Sequence, residues 1–235
     1  EHSGIGQLAK AVNAGDPALI DQVWDDGYSD LNAIRIAEFE QVQFRQLVIG
    51  STASERQGYK HYLTVVNNDK PDFTAELVVF DQWARKVLDA YSQFQVLCAV
   101  RTGIYGVEGL NQRIIDILQD EGLIQAQNAW FVGRPVLVTQ NDYRLGLMNG
   151  DVGLTLATEG TGALRVAFAD GRGGVRWVLP SRLQDVETVY AMTVHKSQGS
   201  EFAHAALVLP AHDSRVLTRE LVYTGITRAR HWFTL

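Results

Sequence analysis

This 235-residue sequence is poor in several things, and each shortage narrows the field. There is one cysteine, Cys98, so no internal disulfide can form. Flanked by Phe94-Gln-Val-Leu and Ala-Val100, it reads as a small buried hydrophobe in a reducing compartment, and a cytoplasmic location is expected. No run of about 18 apolar residues occurs, so nothing is long enough to span a membrane as a helix. The opening Glu1-His-Ser-Gly is neither a signal peptide nor an initiator Met, and a fragment or processed piece is expected. The six histidines are scattered and no Cys–His spacing fits zinc, so no metal ligands are assigned. Internal repeats and low-complexity tracts are missing. So are a G-x-x-x-x-G-K-[ST] phosphate loop and an Asp-Glu pair after an apolar strand that would hold Mg²⁺.

A basic surplus is lacking as well: the net charge is −6, which argues against a general nucleic-acid binder. The distribution of charge weakens that objection. Residues 1–94 hold 14 acidic and 8 basic side chains, whereas residues 95–235 hold 13 of each. A protein that grips a strand in a narrow channel needs local cations rather than a basic total.

What is present has α/β character. Ile5, Leu8, Ala9 and Val12 recur at helix spacing, broken at Asn13-Ala-Gly-Asp-Pro17, where Asp16 and Pro17 suit the cap and first turn of a helix over 18–24. Residues 31–37 and 43–49 alternate like short strands, and 52–66 is ambiguous. After a loop at 67–71, Leu77, Phe80, Ala84, Val87 and Tyr91 mark one buried helix face, a core stripe rather than a cofactor box. The run 95–100 suits a buried parallel strand. It leads into Arg101-Thr-Gly103, a glycine-containing turn and a helix over 112–121, the layout of a ligand loop at a sheet edge. From 133 the pattern changes. Short alternating strands at 135–139, 153–157, 163–168 and 175–179, separated by Gly-rich turns, predict a small antiparallel β-barrel inserted at 130–185. Arg165, Arg172, Arg176 and Arg182 lie in it, suited to phosphate contact or simply to a solvated surface.

The most informative stretch is Thr193-Val-His-Lys-Ser-Gln-Gly-Ser-Glu-Phe202. It lies between two apolar β-type runs, one through Val186, Val189, Tyr190, Ala191 and Met192, the other at 205–209. The polar block is thus expected at a strand end, where open α/β sheets place ligands, with Gly199 letting backbone approach one. Then comes Leu221-Val-Tyr-Thr-Gly-Ile-Thr-Arg-Ala-Arg230, apolar at first and ending in paired cations.

In order and spacing these two blocks resemble motifs V and VI of superfamily 1 helicases, and the wording is most similar to the RecD family, the RecD (alpha) subunits of RecBCD, or exonuclease V, helicase–nucleases. The stretches LCAVRTGIYGVEGLN and GRPVLVTQNDYRLGLMNGDVG carry the likeness into the middle of the chain. The resemblance implies a RecA-like parallel sheet with flanking helices over 1–129 and 186–235, the second motor domain, of which 1–94 is an acidic N-terminal part. It implies that the insertion at 130–185 is Src-homology-3-like. The function implied is that of the C-terminal motor domain of an ATP-dependent 5′-to-3′ DNA helicase subunit in double-strand break repair and recombination, working with RecB- and RecC-like partners on single-stranded DNA.

The resemblance also assigns roles. Arg228 matches the arginine finger of motif VI, a catalytic and nucleotide-binding residue, and guanidinium suits that task because it stays charged and its planar fork matches phosphate oxygens. A capping role at a helix C-terminus suits Arg230 better. Gln198, Gly199 and Glu201 fall on the nucleotide side, the glutamate as an acceptor for ribose hydroxyls. Arg101, Thr193, His195 and Lys196 would face the DNA strand, positioning it without reading sequence. ATP and Mg²⁺ are expected to be bound mainly by a first motor domain that this sequence does not contain, so the chain alone should be inactive. A different class of reading is a catalytically silent RecA-like module that binds a protein through the acidic region 1–94. An RNA helicase or a conjugative relaxase-helicase, which share the two motifs in looser form, is a third.

Overall fold

A computed structural model describes residues 3–36, 41–50, 56–158, 162–210 and 215–235. Two compact units emerge: 1–58 with 92–113 and 190–235, and 59–91 with 114–189. The division falls elsewhere than the sequence boundaries at 129/130 and 185/186: residues 59–91 and 114–129 go with the antiparallel sheet.

The first unit is built on a parallel sheet. Its strands β1 (Leu31–Asn32), β2 (Phe94–Cys98), β8 (Ala191–Thr193), β9 (Phe202–Val208) and β10 (Ala229–Thr234) take the order β1-β10-β9-β2-β8, and every pairing is parallel. β2 and β9 are buried at every position, as the unbroken apolar runs require of central parallel strands. Helix α1 (Gly4–Ala14) is capped by Ser3 and tied to the sheet through Asp30, whose carboxylate accepts the amides of Gly4 (3.0 Å) and Ile5 (3.2 Å). Helix α2 (Pro17–Asp25) starts as its sequence dictates, with Asp16 accepting the Ala18 amide and proline in the first turn.

Three expectations need correction in this unit. Residues 43–49 are not a strand but part of helix α3 (Gln41–Ile49). Phe44 and Val48, one turn apart, are both fully buried, so period four outweighs the apparent alternation. The strand expected at 31–37 is confined to Leu31–Asn32, and residue 37 lies outside the described residues. Helix α6 (Val107–Asp120) starts five residues before the expected 112, absorbing what reads as a glycine turn. Gly109 sits inside it because a Cβ there would lie 2.4 Å from the Gly103 carbonyl. Close approach, not a break, is what that glycine provides.

The second unit holds helices α4 (Lys60–Asn68) and α5 (Leu77–Tyr91) and an antiparallel sheet of β3 (Pro135–Val138), β4 (Val152–Ala157), β5 (Leu164–Ala169), β6 (Val175–Val178) and β7 (Val186–Thr188), in the order β6-β5-β4-β3-β7. The order leaves β6 and β7 at the edges. Of the ambiguous stretch 52–66, residues 52–55 lie outside the described residues and 60–66 are helical. On α5 the buried stripe is Phe80, Trp83, Ala84, Val87 and Tyr91, whereas Leu77, expected on that face, is 69% exposed. The apolar run at 186–192 is really two strands in two sheets: β7 pairs antiparallel with β3, β8 parallel with β2. Tyr59, Tyr62 and Tyr91 stack and cross at ring separations of 5.3–6.1 Å, and the Tyr62 hydroxyl donates to the Gly133 carbonyl (2.8 Å). Val136, Val138, Leu147, Val166, Phe168 and Val178 form the core under the antiparallel sheet.

Candidate functional site

Because all strands of the first unit point the same way, its loops divide between two sheet edges. Cys98 lies opposite Thr193, so the segments leaving β2 and β8 emerge together at the carboxyl-terminal edge. The Val194 amide donates to the Cys98 carbonyl (3.0 Å), which ties the two exits. Arg101 is exposed in the loop after β2, where the carbonyls of Val100 and Arg101 accept the Val107 and Glu108 amides (both 3.1 Å) and start α6. Cys98 beneath is fully buried as expected, and that burial pushes its thiol up to about 12.

The polar block begins as a tight turn. The Thr193 hydroxyl accepts the Lys196 amide (3.3 Å), and the Ser197 amide is shared between the carbonyls of Thr193 and Val194 (both 3.2 Å). The Ser197 hydroxyl donates to the Val194 carbonyl (2.7 Å). Val194 and Ser197 point inward and are buried, so His195, Gln198 and Gly199 are turned out to solvent, with Lys196 half-buried. Gly199 has φ +87°, and a Cβ there would meet nothing within 4 Å. The backbone turn, not crowding by a neighbour, is what demands glycine at this place.

The block does not stay at one strand end. It runs from the end of β8 back to the start of β9, so it leaves Thr193 and His195 at the carboxyl-terminal edge and brings Ser200 and Glu201 to the opposite one. The expectation that all its polar residues crowd one set of strand tips is corrected accordingly. The two ends of one parallel crossover must lie on opposite edges.

At the amino-terminal edge the second block arrives. Helix α7 (Arg219–Ile226) is capped by Thr218, whose hydroxyl accepts the Leu221 amide (3.2 Å), and it ends just before β10. Ala229 lies opposite Phe202, so Arg228 sits at the start of β10 beside Glu201 at the start of β9. The Phe202 amide donates to the Arg228 carbonyl (2.8 Å). The guanidinium donates from Nη1 to the Ser200 carbonyl (3.0 Å), from Nε to the Thr224 carbonyl (3.2 Å) and from Nη2 to the Thr227 hydroxyl (3.4 Å). Among the described residues these partners are backbone carbonyls and a hydroxyl, not a carboxylate, and they use three of the five N–H donors of a guanidinium and leave two. The helix-ending role assigned to Arg230 therefore belongs to Arg228: Arg230 is exposed within β10.

Sequence reasoning passed over Asn111. Its carboxamide, buried on α6, accepts the Ala191 amide (3.1 Å) and donates to the carbonyls of Ala191 (3.1 Å) and Val107 (2.8 Å). It thus satisfies both backbone groups of a residue in the edge strand that launches the polar turn. An asparagine in a helix gives no such signal on its own. Of the four arginines expected in an inserted barrel, Arg176 is structural: its Nη1 donates to the carbonyls of Leu145 and Gly146. Among the described residues no group of three or more His, Cys, Asp or Glu is placed to hold a metal, and no helix is long and apolar enough to cross a membrane.

Residues 188–235, from the end of β7 through both polar blocks, match the UvrD-like helicase C-terminal domain. The RecBCD enzyme subunit RecD of Mycobacterium tuberculosis is 38% identical over 226 residues, which is 96% of this chain and 35% of that protein. RecD of Haemophilus influenzae is 33% identical over 99% of this chain and 35% of its own length. The ATP-dependent RecD2 DNA helicase of Deinococcus radiodurans is 36% identical over 59% of this chain and 19% of its own. Among solved structures, Bacteroides Pif1 bound to single-stranded DNA shares 18% identity at a TM-score of 0.39, covering 74% of this chain and 48% of that one, too slight a likeness to bear on the site. The chain is similar to RecD along nearly its whole length and spans about a third of the RecD proteins it matches.

Proposed function

We propose that this chain is the second, RecA-like motor domain of an ATP-driven 5′-to-3′ DNA helicase subunit, with a Src-homology-3-like insertion near 130–185, acting in a cytoplasmic RecBCD-type complex with RecB- and RecC-like partners in double-strand break repair. Such a motor binds nucleotide between two lobes and converts hydrolysis into a change of their separation. The observation that carries the reading is the placement of Arg228 beside Glu201, anchored on carbonyls with two N–H donors left over among the described residues. A guanidinium so held is pre-aimed, and its remaining donors suit phosphoryl oxygens in the transition state. Glu201, exposed next to it, suits ribose hydroxyls as an acceptor, with Gln198 and Gly199 on the same connecting segment. The triphosphate and its Mg²⁺ would be held chiefly by the partner lobe. Arg101, Thr193, His195 and Lys196, gathered at the other edge, suit the sugar–phosphate backbone of a single strand. The turn-rich segment between β8 and β9 would then join the strand-binding edge to the nucleotide-binding edge directly, so that movement at one is felt at the other.

The test compares ATP turnover by this chain and by the full-length polypeptide, each with and without oligonucleotide. The expected result is no turnover by the chain alone and DNA-stimulated turnover by the longer protein. Turnover by the purified chain, or none by either protein, contradicts the reading. The second outcome favours a silent module that binds a protein partner.

A further inference from the structure

The antiparallel sheet carries an aromatic side chain that neither core nor motif explains. Tyr143, in the connection between β3 and β4, is 78% exposed, more so than the other large apolar side chains among the described residues. Its loop is firmly built. The Asp142 carboxylate accepts the amides of Arg144 (3.0 Å) and Leu145 (3.1 Å), and Asp142 and Leu147 exchange both backbone hydrogen bonds (2.8 and 2.9 Å). Leu147 is buried in the sheet's core, Arg176 clamps the carbonyls of Leu145 and Gly146, and Asn141 accepts the Asn149 amide (2.8 Å). The Asn141 side chain also donates to the Tyr143 hydroxyl (3.2 Å). Tyr143 and the exposed Arg144 line one wall of a cleft of about 310 Å³, and Arg182 with the polar Gln184 lines another. Of the two carboxylates in that lining, Asp142 is spent on its own loop, which leaves Asp185 against the two arginines.

We propose that Tyr143, with Arg144 and Arg182, is a stacking platform for a base of single-stranded nucleic acid. The inference rests on the reading of the chain as part of a DNA motor. An aromatic face flanked by guanidinium groups is the chemistry that holds bases without regard to sequence, by π-stacking and by contact with phosphate. A rigid loop loses little entropy when it engages its ligand. Grooves for proline-rich peptides are lined by several aromatics, and this cleft has one.

The experiment titrates the full-length protein with oligo(dT) and with the same strand carrying abasic sites, using wild type, Tyr143→Ala and Tyr143→Trp. Tyr143→Ala should weaken binding of the normal strand roughly tenfold and leave the abasic strand unaffected. Tyr143→Trp should restore the difference between strands, and the unfolding midpoint should not move because the side chain is exposed. No loss on the normal strand, or equal loss on both, overturns the platform while leaving the motor reading intact. Unchanged strand binding alongside a proline-rich peptide that only the wild type binds overturns it in favour of a peptide groove. A wild type that binds neither strand and hydrolyses no ATP overturns both readings together.

Discussion

His204, in the middle of β9, is 2% exposed and lies against the Phe94 ring at 4.9 Å. Its Nδ1 meets the Gln57 carbonyl at 3.2 Å, and a carbonyl can only accept, so Nδ1 carries the proton and Nε2 accepts from the Thr234 hydroxyl at 2.9 Å. Burial pushes its pKa down to about 4, with the Arg56 charge adding to the effect against the Gln57 bond. Above pH 6.5 the imidazole is neutral whether folded or not, and its neutral packing contributes in full. Between 6.5 and 4 the unfolded chain takes up a proton that the native state refuses, so stability falls. The expected loss from this group is about 2–3 kcal/mol at about pH 4.5 relative to about pH 7.5. Denaturant unfolding at both pH values should show a steeper loss in wild type than in His204→Gln; equal losses would refute the assignment. Nothing in the sequence marks this histidine, since its burial depends on strands far apart in the chain. Gly199 was legible as special, and its left-handed backbone, with φ +87°, is a further reason for glycine there. With Arg228 and Arg230 the cap fell to the wrong arginine, because only the helix end decides which of two neighbours can turn back onto it.

Among the elements, β8 is the one that carries Thr193 and leads into His195 and Lys196, the residues proposed with Arg101 to face DNA. Among the described residues it is a short edge strand paired only with β2, and Asn111 on α6 satisfies both backbone groups of Ala191. Asn111→Ala would leave a buried amide and carbonyl without partners, and it should destabilise the protein by about 2–4 kcal/mol. Chemical denaturation of the variant measures this, and a change below about 0.5 kcal/mol would show that Asn111 does not hold the strand. Elements bounded by cap, loop or Gly-rich turn signals were legible: α1, α2, the buried face of α5 past its first turn, and the four strands from β3 to β6. Elements without such bounds were not. Nine residues of α3 carry an apolar pattern that two periods fit, and only burial of Phe44 and Val48 separates them. The run through 186–192 looked like one strand because apolar strands of opposite sheets differ in partner rather than in composition.

For the molecule as a whole, the likeness to RecD and the α/β class lay in the motifs, whereas the division into units did not. Residues 59–91 go with the antiparallel sheet because α5 packs on it: the Trp177 indole donates to the Asp81 carboxylate at 2.7 Å, and Trp83 and Tyr91 are buried. Such contacts join segments about a hundred residues apart, which periodicity cannot reach. The proposed motor depends most on one side chain, and one measurement addresses it directly. DNA-stimulated ATP hydrolysis should be compared in the full-length polypeptide carrying Arg228, Arg228→Ala or Arg228→Lys, with unfolding followed in parallel because Arg228 also ends α7. The expected result is a fall in turnover of roughly 10³-fold or more for the alanine variant, a large loss also for lysine, which lacks the planar fork, and folded protein in all three. Turnover within a few-fold of wild type in folded Arg228→Ala would contradict the claim that this guanidinium acts on the transferring phosphoryl group.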